Sequence, residues 1–264
     1  MANINNFLVD SHCHLNMVMD RGDGIDVKTI VENALKNNVN IINDIGTTLK
    51  EFDKTLQFTK NFECVYASLG IHPTEIDELV SIDVLKKYIL QDKVIGVGEC
   101  GLDYHYDGYD KVKQKQNFEI HIELARQTNK PLIIHSRDAD IDMIDILKSE
   151  MKNGEFKFLL HSFTSGKELF NTGLDLDGYF SLSGIITFKN AEEVRNIVKD
   201  VPLNKLLVET DAPFLAPVPY RGKTNQPSYV RNTAEYLADF FKKDFMEFQS
   251  MTTGNFLKLF SMDV

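Results

Sequence analysis

Eight short apolar runs recur along this chain, and the stretches between them carry helical spacing; this rhythm most restricts what the chain can fold into. The runs fall at residues 7–10, 39–45, 64–69, 94–98, 131–135, 156–161, 178–182 and 205–208, and each reads as a buried strand. Helical spacing lies between them, at Ile30, Ala34 and Leu35, at Leu85 and Ile89, and at Ile141, Ile144, Leu147 and Met151. Alternation of this kind needs parallel strands covered on both faces, and eight strands close around a filled interior. The expectation is an α/β protein, a single (β/α)8 TIM barrel spanning residues 1–264, with an open doubly wound sheet as the rival. Residues 227–260 add two C-terminal helices, the first with an apolar stripe at Val230, Ala234, Leu237 and Phe241. Asn255 and Phe256 in the second read as core packing.

The 264 residues suit one barrel, which takes about 250. No fixed-period repeat, low-complexity tract or linker marks a boundary. No apolar run approaches the roughly 20 residues that cross a bilayer, and the start MANINNFLVD has neither a basic nor a signal-like segment. A cytoplasmic protein without membrane contact is expected, and nothing in the sequence calls for an obligate protein partner. Cys13, Cys64 and Cys100 are scattered and odd in number, which suits reduced thiols. The net charge of −10 disfavours a general nucleic-acid coat, so any phosphate must be drawn by something local. Acidic residues clustered around cations would do so.

Ligand-type residues stand where several of the strands end. In VDSHCHL, alternation puts Asp10, His12 and His14 on one side and turns Ser11 and Cys13 the other way. A His-x-His pair at a strand end suits zinc, manganese or nickel, yet alone it is weak evidence. The other strand ends tighten the case: Glu99 in IGVGECGLDYH, His135 in PLIIHSR, His161 in FLLHSF and Asp211 in LLVETDAPF. Barrel enzymes assemble their sites from the C-terminal ends of several strands. Four histidines and two carboxylates exceed the needs of one tetrahedral ion, which points to two divalent cations, Mg2+, Mn2+, Zn2+ or Ni2+. His12, His14 and Asp211 would hold one, His135 and His161 the other, with Glu99 as the bridge. Cys13 and Cys100, by alternation, should face the helices as small apolar groups.

Other residues suit supporting parts. His72 in SLGIHP reads as a substrate contact, and Arg137 could fork onto a phosphate oxygen, with a surface salt bridge as the competing reading. Arg221 and Lys223, in the proline-dense loop after Asp211, suit a phosphodiester clamp, with a solvated charge pair as the competitor. Glu209 reads as a group that orients a ligand or a basic side chain. His121, at helical spacing from Phe118 and Ala125, reads as helix–barrel packing, and His105 as no more than a residue near the mouth.

With these residues in view, the chain resembles the TatD family of metal-dependent deoxyribonucleases, within the amidohydrolase-like barrel group. The resemblance runs through DSHCHL, GIHP, GECGLDYH, IHSRDA, HSFTSG, SLSGIITFKNA and ETDAPFLAPVPYRGKTNQP, and so covers nearly the whole chain. It implies metal binding by His12, His14, Glu99, His135, His161 and Asp211, the six positions that the strand ends also supply. The departures, Cys100 for an aliphatic residue and Ser162 for cysteine, touch none of them.

The function expected is therefore that of a divalent-metal-dependent hydrolase, a deoxyribonuclease that cleaves DNA phosphodiesters. Asp211 would be the general base and Glu99 indispensable to turnover. A metal-dependent hydrolase of another ester, such as a small phosphoester or an aminoacyl-tRNA ester, is the alternative within the class. A non-catalytic nucleic-acid-binding barrel is the alternative outside it, and it lacks the expected basic stripe.

Overall fold

A computed structural model describes residues 6–21 and 24–263 of the chain; residues 1–5, part of the stretch behind the cytoplasmic expectation, lie outside. The first half runs β1 (Leu8–Cys13), α1 (Leu15–Arg21), α2 (Val27–Lys36), β2 (Val39–Gly46), α3 (Leu49–Asn61), β3 (Val65–Leu69), α4 (Ile82–Ile89) and β4 (Val94–Asp103). It continues with α5 (Lys111–Thr128), β5 (Leu132–Arg137), α6 (Asp140–Asn153), β6 (Phe158–Leu160), α7 (Lys167–Asp175) and β7 (Tyr179–Leu182). The last part holds α8 (Glu192–Val198), β8 (Leu206–Val208), α9 (Val230–Phe240) and α10 (Phe245–Leu259). Strands and helices alternate in the order of a (β/α)8 chain, and both expected helices follow β8.

Two compact units make up the chain, one of residues up to 44 and from 180 onward, the other of residues 45–179. In the first unit β1 pairs in parallel with β2, from Leu8 on Val39 to Cys13 on Asp44, and β7 pairs with β8 from Phe180 on Leu206 to Leu182 on Val208. A single parallel bridge joins Cys13 to Ala212, past the end of β8. Helix α10 is capped by Asp244, whose side chain accepts the N–H groups of Met246 and Glu247. Its Thr253 hydroxyl donates to Phe7 O and its Asn255 amide to Leu203 O and Leu206 O, at 2.7–2.8 Å. Asn255 therefore does more than pack: it satisfies backbone carbonyls around the start of β8. Phe248 and Phe256 are fully buried beside it.

In the second unit β3, β4, β5 and β6 pair in parallel in that order. Their walls are the expected near-continuous apolar runs, with Leu69, Val97, Leu132, Ile133, Ile134 and Leu159 all fully buried. Leu85 and Ile89 of α4 are buried as their spacing predicts. Two expected stripe positions are not: Leu35 is 46% exposed and Ile141 77% exposed. Helix α6 instead buries Met143 and Leu147, so its apolar face starts two residues later than the spacing of isoleucines suggested. Among the described residues no helix is long and apolar enough to cross a membrane.

Candidate metal centre

The strands overrun their apolar segments where the polar residues begin. β1 continues through His12 to Cys13, and β4 continues through Glu99 to Asp103. His161 and Asp211, by contrast, stand one and three residues beyond their strands, and His14 one residue beyond β1. The six predicted ligands fall three to each unit.

In the first unit, His12 Nε2 and His14 Nε2 lie 3.3 Å apart, and Asp211 Oδ1 lies 3.8 and 3.6 Å from them. Both imidazoles are buried. Asp211 sits in the left-handed region at φ +55°, where an aspartate is tolerated better than most residues. Its N–H donates to His12 O at 2.9 Å, which ties the loop directly to the histidine strand. Asp10 braces the same turn: its carboxylate accepts Thr210 N–H at 2.8 Å and the Thr210 hydroxyl at 2.6 Å, and the same hydroxyl oxygen accepts Ala212 N–H. Burial pushes the Asp10 carboxyl well above the usual range, against the pull of the Thr210 hydrogen bonds. Asn225 closes the loop by donating to Thr210 O and Phe214 O. Glu209, fully buried, accepts the Ser181 hydroxyl.

In the second unit three imidazoles turn to one carboxylate oxygen. Glu99 Oε1 is 2.7 Å from His161 Nε2, 3.0 Å from His135 Nδ1 and 3.6 Å from His72 Nε2. His72, expected as a substrate contact, thus belongs to the ligand-type group of Glu99 and His135. Glycines on both sides of Glu99 let β4 press onto β5. A Cβ on Gly98 would come within 2.5 Å of Ile133 O, and one on Gly101 closer still to His135 O.

Asp103, which no sequence periodicity marks, stands on the other side of His135, with Oδ2 3.1 Å from Nε2. Burial lowers the readiness of His135 to take a proton, but its hydrogen bonds to Asp103 and Glu99 outweigh that and hold its pKa above the ordinary value. Burial likewise acts to raise Asp103, and hydrogen bonds from His135 and the His105 backbone leave it below the usual carboxylate range.

Helix α5 supplies the frame through a polar face, of which spacing singles out only His121, as packing. Gln114, Asn117 and His121 are buried at i, i+3 and i+7. Gln114 exchanges two 2.9 Å hydrogen bonds with the Asp103 backbone. Asn117 donates to Ile71 O, and His121 Nε2 accepts Ile71 N–H at 3.0 Å, which fixes the chain one residue before His72. The signal that could have found them was there: three polar residues on one helical face beside Phe118 and Ile122.

The remaining predicted contacts lie against aromatic rings. The Arg137 guanidinium is 5.2 Å from the Tyr106 ring centroid, beside a cleft of about 770 Å3 that Thr164, Ser165 and Gly166 also line. Arg221 lies 3.8 Å over Phe188 and the Lys223 ammonium 5.7 Å from the Tyr220 ring. His105 pairs with Asp138 at 2.7 Å. Cys13 and Cys100 are fully buried, with burial pushing both thiols well up, and their sulfurs face Asn43 O and Ile133 O at 3.8 Å.

Both groups fit a divalent cation by the chemistry of their donors. Two atoms bound to one ion at 2.0–2.2 Å lie about 3–3.5 Å apart, and the His12–His14 and Glu99–His135 separations fall there. If His135 Nε2 donates to Asp103, a neutral ring leaves a bare lone pair at Nδ1 facing the Glu99 carboxylate. That contact asks for a second proton or a cation. Imidazole with carboxylate is a donor set for zinc, manganese or nickel.

Comparison with known proteins places these features. Residues 9–261 match the family described as TatD related DNase. The chain is 40% identical over 257 residues to the metal-dependent hydrolase YcfH of Escherichia coli K12, covering 97% of each chain. It is 36% identical to the metal-dependent hydrolase YabD of Bacillus subtilis, covering 97% of this chain and all of the relative. The crystal structure of YjjV, a TatD homologue from Escherichia coli K12, superimposes with a TM-score of 0.88 at 25% identity, over 98% of this chain and all of that one. The fold is the TIM barrel, as the strand and helix order implied.

Proposed function

The chain belongs to the TatD family of metal-dependent hydrolases, and from that premise we propose that it is a deoxyribonuclease acting through two divalent cations on DNA phosphodiesters in the cytoplasm. The observation that carries the reading is the approach of three imidazoles to Glu99 Oε1, at 2.7, 3.0 and 3.6 Å, by a chain whose relatives are named metal-dependent hydrolases. His12, His14 and Asp211 would hold one ion, and His135, His161 and Glu99 the other. Such ions, when bound, supply Lewis acidity toward a phosphoryl oxygen and a water of lowered pKa.

The residues do the rest. The Asp211 carboxylate accepts the proton of the attacking water, and the Asp10–Thr210 brace keeps it aimed by holding the turn on which it stands. Arg137, Arg221 and Lys223 bind phosphate oxygens, Arg137 by its fork and the loop pair by charge. His72, beside Glu99, donates from its ring to the substrate and helps to orient the scissile phosphate. The Arg221 guanidinium rests on the Phe188 ring, and Arg137 lies beside Tyr106, whose hydroxyl accepts one of its N–H groups.

End-labelled DNA oligomers, assayed with Mg2+, Mn2+ or Zn2+ beside a metal-stripped sample and Glu99→Ala, test the proposal. We expect metal-dependent cleavage, a loss of about a hundred-fold or more in Glu99→Ala, and a fall in its bound metal from two equivalents toward none. Full activity after stripping, or turnover of small esters without cleavage of DNA, would refute the reading.

A further inference from the structure

Asp103, at the end of β4, is a carboxylate with 3% exposure that the metal reading leaves unused. Both of its oxygens are engaged: Oδ1 accepts His105 N–H at 2.9 Å, and Oδ2 stands 3.1 Å from His135 Nε2. Its backbone is clamped in both directions by Gln114, and Tyr104 N–H next to it donates to Arg137 O on β5. The carboxylate is therefore presented to His135 from a position fixed by two elements. On the far side of that ring, Nδ1 faces Glu99 Oε1 at 3.0 Å and His161 Nε2 at 3.4 Å. Asp103 and Glu99 face opposite nitrogens of the ring, and each can only accept; with a divalent cation between Nδ1 and Glu99, the single proton of the neutral imidazole falls to Nε2, where Asp103 accepts it. The lone pair then lies on Nδ1, toward Glu99 and His161.

We propose that Asp103 is a positioning residue for the metal centre: it holds His135 as the Nε2–H tautomer, with Nδ1 presented as a ligand to the divalent cation of the Glu99–His161 group. The inference rests on the metal reading above and adds to it a seventh residue outside the six expected ligands. Carboxylates behind ligating histidines orient the ring, and their loss weakens metal binding by about 10–100-fold.

Asp103→Asn is the discriminating variant. Its side-chain carbonyl still accepts His105 N–H, while its amide donates to His135 Nε2 and drives the ring proton to Nδ1. Nitrogen-15 NMR of the imidazoles in metal-free and Zn2+-loaded protein reads the tautomer without reference to activity, and titration with Zn2+ against a chromophoric chelator reads affinity. We expect Nε2–H in the Zn2+-loaded wild-type protein, Nδ1–H in metal-free Asp103→Asn, a fall in affinity of about 10–100-fold for one ion, and recovery of kcat when Zn2+ is raised. Asp103→Glu, which keeps an acceptor-only group, retains the wild-type tautomer. A proton on Nδ1 in the Zn2+-loaded wild-type protein overturns the inference, and that spectrum decides alone if the Asn variant does not fold. Wild-type affinity in Asp103→Asn overturns this inference and leaves the metal reading standing; no Zn2+ uptake by the wild-type protein overturns both.

Discussion

His121 is wholly buried on α5, with Nδ1 2.7 Å from Asn117 O and Nε2 accepting Ile71 N–H. The first nitrogen carries the proton and the second must stay bare, so burial pulls the pKa down to about 4. The sign of the linkage follows. The unfolded chain takes up the proton near pH 6.5 and the folded chain resists until about pH 4, so stability falls as pH drops through that window. The loss is about 3 kcal/mol in total. Urea midpoints at pH 7 and 4.5 measure it. His121→Gln, though less stable at pH 7, should show a shallower slope, and an unchanged slope would refute the assignment. At this scale the six candidate positions were legible, because histidines and carboxylates at strand ends repeat a pattern. Asp103 was not, since one carboxylate in GLDYH carries no periodicity and its meaning depends on His135, 32 residues away.

The element that most shapes the second half of the site is β4, which runs ten residues where the apolar segment suggested five. The strand outlasts its hydrophobic run because pairing with β5 continues through Cys100–Ile134 to Asp103–Arg137, and Gln114 seals its end. Gly101, at φ +137°, is the point of closest approach. Gly101→Ala should therefore cost about 2 kcal/mol or more, from overpacking against β5 and a backbone region closed to alanine. Chemical denaturation measures that loss, and a variant as stable as the wild-type protein would contradict the contact. Helix α5 carries the complementary lesson. Its existence was plain from spacing, but the use of Gln114, Asn117 and His121 as hydrogen-bonding partners of two strand ends was not, because buried polar residues look alike in sequence whether they pack or clamp.

For the molecule as a whole, 39 acidic against 29 basic residues leave little positive charge to hold a polyanion. If Arg137, Arg221 and Lys223 are the side chains that neutralise phosphates, the salt dependence of DNA binding should be shallow. A log–log slope of about −2 to −3 is expected, read from KM between 50 and 200 mM salt, and a slope near −8 would point to a basic surface elsewhere. What the sequence determined by itself was the alternation of eight strands with helices, membership of the hydrolase family, and the residue types that could bind metal. Those properties are local: each is written in periodicity or in a contiguous motif. Only the tertiary structure decided that His72 joins Glu99 and His135, that Asp10 and Thr210 brace Asp211, and that Asp103 backs His135. Such partnerships join residues far apart along the chain, and they are set by which backbones press together and which buried polar atoms must be satisfied there.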